Sequence, residues 1–129
     1  MNIGKAAKSS NLTIKAVRYY ANIGLVTPQQ NIFSGYREYT NEEVAKLKFI
    51  GKARRFDFSI DECKELLSLY EDKNRTSKEV KKITLEKISQ IDSKLKDLKD
   101  LRNELSFLAS NCHGDDKPNC PILDELSRN

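Results

Sequence analysis

From Ser77 to Ala109 the chain runs without glycine or proline, and Thr84, Ile88, Ile91, Leu95, Leu98, Leu101 or Arg102, Leu105 and Leu108 recur at spacings of three and four. That period predicts one long helix with a coiled-coil seam. Thr76-Ser77-Lys78-Glu79 has the form of a capping box, a hydroxyl followed three residues later by a carboxylate, and sets the start. At 1.5 Å per residue the helix is about 50 Å long. The flanking positions Lys87, Asp92, Lys94, Lys96, Asp97, Lys99 and Asp100 carry mixed charge suited to water, so the apolar stripe must meet another helix. No other stripe of comparable length exists in the chain. A second copy is therefore the expected partner, in preference to a fold-back onto the same chain.

Shorter apolar periods precede the long one. Ile3 to Lys8 predicts a short helix with Ile3, Ala6 and Ala7 inward, and Ser9-Ser10-Asn11 is turn material. Thr13 caps a second helix over Ile14 to Ile23, with Ala16, Val17 and Tyr20 inward and Gly24 as a left-handed stop. Two short helices joined by a tight polar turn form a helix-turn-helix, whose second helix lies in the DNA major groove. Lys15 and Arg18, three apart, share its outward face.

Leu25-Val26 and Tyr36-Arg37-Glu38-Tyr39 predict short strands of a hairpin wing, with Thr27-Pro28 and Ser34-Gly35 as turn chemistry between them. Thr40-Asn41-Glu42-Glu43 opens a helix through Val44, Leu47, Ile50 and Ala53. Ser59-Ile60-Asp61-Glu62 opens another with Cys63, Leu66, Leu67 and Tyr70 on its apolar face. Lys52-Ala53-Arg54-Arg55 makes a basic corner between them, a second candidate for phosphate contact.

Composition sharpens this picture. At 129 residues the chain has room for one modest core plus a dimerisation stalk, and not for a large catalytic domain. No apolar run approaches the ~20 residues needed to span a bilayer, and the N-terminus lacks a secretory pattern, so a soluble cytoplasmic protein is expected. Residues 1 to 58 carry ten bases against four acids, and residues 59 to 129 thirteen against fifteen. A basic head on a slightly acidic stalk fits a polyanionic partner. With no Ser/His/Asp set, no phosphate-cradling glycine loop and a single histidine, the chain does not read as an enzyme.

Arg18-Tyr19-Tyr20 followed by Gly24-Leu25-Val26, then Gly35-Tyr36-Arg37-Glu38-Tyr39, resembles the winged-helix head of the MerR family of bacterial transcription regulators. The similarity spans essentially the whole chain, and the long helix resembles the family's antiparallel dimer stalk. Ala21 departs from the pattern, standing where the family commonly has an acidic residue. The resemblance implies a mainly α fold with a small hairpin wing, with boundaries at 1–70 for the DNA-binding head, 76–110 for the dimerisation helix and 111–129 for a metal-binding loop and short helix. It implies that Lys15 and Arg18 enter the major groove of double-stranded promoter DNA, while Tyr20, Tyr36, Arg37 and Arg54 hold phosphates. Phosphate contacts position such a head, and groove contacts specify sequence. Tyr19 and Tyr39 read as core aromatics with wet hydroxyls.

Beyond the stalk, Cys112 and Cys120 flank a loop, His113-Gly114-Asp115-Asp116-Lys117-Pro118-Asn119, and Pro121 starts a helix through Ser127. Cys120 then sits at a helix N-terminus, where the dipole favours thiolate. Three chemistries fit the pair alone. Two thiolates suit a soft ion such as Cu(I); Zn(II) takes about four ligands, drawn from Cys112, Cys120, His113 and an Asp; and a Cys112–Cys120 disulfide makes a thiol redox switch. The loop resembles that of the copper-efflux branch of the family, the CueR-like or HmrR-like regulators, in which both cysteines bind Cu(I). Ser77 resembles the residue of the monovalent-ion sensors, where divalent-ion members have a cysteine, and Lys81 matches the position that balances the net −1 of two thiolates and one monovalent ion. Ag(I) and Au(I) stay open beside Cu(I). His113, Asp115 and Asp116 read as surface residues, and Cys63 as a small core residue.

The resemblance thus implies a homodimeric Cu(I)-responsive activator of copper efflux and detoxification genes. It distorts promoter DNA for RNA polymerase when metal binds. A sensor of another soft metal or of Zn(II), a thiol redox regulator and a metal-buffering protein are the alternatives.

Overall fold

The structure, a computed structural model, describes residues 1–128. Helix α1 (Ile3–Ser10) starts where the Asn2 side chain accepts from the Lys5 amide at 2.9 Å, and it ends at Asn11 in the left-handed region, φ 58°. The chain turns through Leu12, whose amide returns to the Ala7 carbonyl at 2.9 Å, into α2 (Ile14–Asn22), capped by the Thr13 hydroxyl on the Ala16 amide. Gly24 follows at φ 75°, the left-handed stop the sequence predicts.

One strand lies elsewhere than expected. Leu25-Val26 forms no strand, because both amides are spent on the Tyr20 carbonyl, at 2.9 and 3.2 Å, closing the end of α2 while Val26 enters the core. The hairpin instead pairs β1 (Gln29–Gln30) with β2 (Arg37–Glu38), antiparallel, with Gln29 opposite Glu38 and Gln30 opposite Arg37.

Helix α3 (Asn41–Arg55) and helix α4 (Ile60–Glu71) open at the two predicted capping boxes. The Glu43 carboxylate accepts the Thr40 amide at 2.9 Å and its hydroxyl, and the Glu62 carboxylate accepts the Ser59 amide at 2.8 Å. The core of this unit, residues 1–82, gathers Ala6, Val17, Tyr20, Val26, Tyr39, Leu47, Ile50 and Cys63, with α1 packed on both α2 and α3, and α4 packed on α3. Tyr70 does not join them. It is exposed on α4, stacked in a tilted arrangement on Phe49 with ring centres 5.2 Å apart, and the Arg75 guanidinium stands 6.0 Å from its ring centre.

Helix α5 (Ser77–Ser110) is unbroken over 34 residues, and the Thr76 hydroxyl accepts from the Glu79 amide at 3.4 Å. The second unit takes in the described residues from Ile83 onward. Ile88, Leu95, Leu98, Leu101 and Leu105 are 48–62% exposed in the single chain, so the seam is built and uncovered. Lys87 departs from the solvated face assigned to it: it is buried, and its ammonium donates to Gln90 Oε1 at 2.7 Å, as a buried cation must find acceptors. Helix α6 (Pro121–Ser127) closes the chain, with Pro121 at its start. Among the described residues no helix is long and apolar enough to cross a membrane.

Candidate metal site and nucleic-acid face

The last turn of α5 ends in Ser110, whose hydroxyl donates back to the Phe107 carbonyl at 2.8 Å, and the Cys112 amide donates to Ala109. The loop then reverses. Gly114 takes φ 60°, open to few residues other than glycine, and Asp115 Oδ1 accepts the Lys117 amide at 2.9 Å. Cys120 is the N-cap of α6, its carbonyl accepting from the Asp124 amide. These turns bring Cys112 Sγ and Cys120 Sγ to 3.9 Å.

At that distance the two sulfurs are free thiols, since a disulfide bond is about 2.05 Å long. The backbone amide of Leu123, and then that of Ile122, hold the Cys120 thiol below its ordinary range. Hydrogen bonding with Cys112 works in the same direction, and partial burial and the Asp124 carboxylate oppose it. A metal–thiolate bond of about 2.3 Å lets one ion bridge sulfurs up to about 4.6 Å apart, so the pair fits a single thiolate-bound ion. Among the described residues, no cluster of three or more His, Cys, Asp and Glu forms a larger donor set. His113, Asp115 and Asp116 are exposed, as the sequence predicts, and Cys63 is fully buried in the head. Ser77 is the first residue of α5 and Lys81 lies about one turn on, both exposed.

On the head, Lys15 and Arg18 stand exposed on α2, and Tyr36 and Arg37 are exposed at and beside β2. The charges of both elements act on Tyr39. It is buried, which pushes its phenol up, and the guanidiniums of Arg37 and Arg18 act against that shift from the wing and from α2. Tyr20 is a core residue first, buried among the helices. Burial raises its phenol, and Arg54, hydrogen-bonded to it, pulls the other way. The same Arg54 donates through Nη1 to the Phe58 carbonyl at 2.8 Å, so its guanidinium is fixed at the α3–α4 corner. Tyr19, read as a core aromatic, is half exposed.

The chain matches the family described as "MerR HTH family regulatory protein" over residues 1–70 and that described as "MerR, DNA binding" over residues 44–108. It belongs to the MerR family of transcription regulators. Relatives from this family cover nearly all of it. The regulator HmrR of Rhizobium leguminosarum is 47% identical over 98% of both chains, and the regulator CueR of Salmonella typhimurium is 44% identical over 98% of this chain and 92% of its own. Among solved structures, the transcription regulator PbrR691 from Ralstonia metallidurans in complex with lead(II) superposes with a TM-score of 0.82 at 29% identity, covering 98% of this chain and 99% of that one. A MerR-family head accounts for the basic face on α2 and the wing. Two features escaped sequence reasoning: the bond between Gln29 and Glu43, and the uncovered pair Ile32 and Phe33 at the wing tip. Neither has a local signal, for the first joins residues 14 apart and the second is an exception to burial.

Proposed function

We propose that this MerR-family regulator is a homodimeric, cytoplasmic Cu(I) sensor that activates copper efflux and detoxification genes. The observation that carries the reading is the thiol pair, with sulfurs 3.9 Å apart and one of them stabilised as thiolate by helix amides. Thiolates select soft ions, and a pair without further clustered donors suits a monovalent ion better than Zn(II), which takes about four ligands. The relatives HmrR and CueR support the same branch.

Two copies pair along α5, covering the seam from Ile88 to Leu105, which leaves residues 1–70 as DNA-binding heads, 76–110 as stalk and 111–129 as sensor. Antiparallel pairing sets Ser77 and Lys81 of one copy toward the loop of the other. There Ser77 withholds a third thiolate, and the Lys81 ammonium balances the net −1 of the occupied site. Lys15 and Arg18 read the major groove of a two-fold symmetric promoter element. Tyr36, Arg37 and Arg54 hold phosphates, and Tyr20 contributes by steadying Arg54.

Metal works by preference between two DNA shapes, since a ligand with equal affinity for both shifts nothing. Bending a site by 40–90° costs on the order of 1–6 kcal/mol, and metal capture must favour the bent complex by a comparable amount for RNA polymerase to use the promoter. Anaerobic titration of the reduced protein with Cu(I), Ag(I), Au(I) and Zn(II) against a competing chelator tests the reading. One Cu(I) per subunit with DNA still bound supports it; preference for Zn(II), or activation by peroxide without metal, defeats it.

A further inference from the structure

The wing tip holds two large apolar side chains with almost no cover: Ile32 is 89% exposed and Phe33 94%. The loop that carries them is nevertheless tied throughout. Asn31 Oδ1 accepts the amides of Phe33 at 2.8 Å and Ser34 at 3.1 Å, the Gly35 amide donates to the Asn31 carbonyl, and the Asn31 amide to the Tyr36 carbonyl, both at 2.8 Å. Gln30 Nε2 adds a bond to the Gly35 carbonyl at 3.2 Å. The tip is thus shaped in advance, with both side chains facing solvent.

We propose that Ile32 and Phe33 form an apolar wedge that enters the minor groove of bound DNA and opens a base step there. This rests on the DNA-binding reading above. The pair continues that interface, since the exposed Tyr36 and Arg37 lie on the same hairpin, and the charges of Arg37 and of Arg18 on α2 both act on the phenol of Tyr39. With α2 in the major groove, Arg37 stands at its phosphate margin. Phe33 lies at the turn of the same hairpin, beyond the paired residues of β1 and β2, so the wing carries it outward from Arg37. Residues 27–36 carry no charged side chain, so no carboxylate on the tip repels the phosphates. Phe and Ile are among the side chains that wedge between base steps and kink DNA.

The test uses the full chain and a duplex selected by that protein from a random pool, with affinity followed from 50 to 300 mM KCl. The double variant I32S/F33S, altered only at exposed positions, is expected to bind at least tenfold more weakly with the same salt slope, because the lost contact is apolar. Arg37→Ala is expected to lower the slope by about one phosphate. With 2-aminopurine scanned through the site, the wild-type protein brightens one step beside the α2 contact, and I32S/F33S leaves it dark. Unchanged affinity and no brightened step overturn the wedge. So does I32S/F33S that binds DNA normally but fails in transcription with RNA polymerase, or that alters the oligomeric state. A wild-type protein with no salt-dependent DNA binding at all defeats instead the function on which the wedge rests.

Discussion

The side-chain amide of Gln29 donates to the buried carboxylate of Glu43 across 2.8 Å, fastening strand β1 of the wing to the first turn of α3. Burial alone would raise the Glu43 pKa. The bonds from the Thr40 hydroxyl and amide and from Gln29 outweigh it, and the carboxyl is held below its ordinary range. A depressed carboxyl pKa contributes stability that is present above the unfolded value, about 4.3, and lost as pH falls through the folded one. Glu43→Ala is expected to destabilise the head by about 1–3 kcal/mol at pH 7. Denaturant titrations should show the gap from wild type narrowing in acid, below about pH 4.

Cys112→Ser and Cys120→Ser are each expected to abolish Cu(I) retention against a chelator while leaving DNA affinity within about twofold, since neither residue lies in the head. A Cys112→Ser protein that still activates transcription with Cu(I) rules out the sensor.

The Cys120 thiolate should form at lower pH than an ordinary cysteine, near 8.5. Iodoacetamide alkylation of Cys120, followed by mass spectrometry, should therefore show a midpoint below that value. Asp124 opposes the thiolate, so Asp124→Asn should move the midpoint lower still.

Arg18→Ala is expected to weaken binding to a selected duplex by about 1–3 kcal/mol and to relax sequence preference at one position. Metal stoichiometry should stay unchanged, because the head and the thiol pair are separate units of the chain.

Leu98→Glu places a charge in the uncovered seam of α5. If two copies pair there, the dimer loses about 1.5–3 kcal/mol per leucine, and sedimentation should show monomers at micromolar concentration, with far-UV helicity largely kept in the head.

Much of the architecture is local and was legible in the residues. Capping hydroxyls at Thr13, Thr40 and Ser59, the left-handed stop at Gly24 and the period from Thr84 to Leu108 act within one or two turns, so the helices appear where the pattern puts them. The approach of Cys112 to Cys120 belongs to the same class, for Gly114, Asp115 and Pro121 turn the chain within ten residues.

Tertiary structure decided what no local pattern states. Leu25 and Val26 have strand-forming side chains, but the free carbonyl at the end of α2 takes both amides. Lys87 reads as a surface lysine until the folded chain buries it, and Tyr70 reads as core until the packing of α3 on α4 leaves its ring outside. The sequence by itself determined the helices, their ends and the thiol pair, because capping and turn formation are short-range. Which side chains are covered, and which arginine meets which tyrosine, was settled only by packing between elements distant in the chain, where burial free energy outweighs local preference.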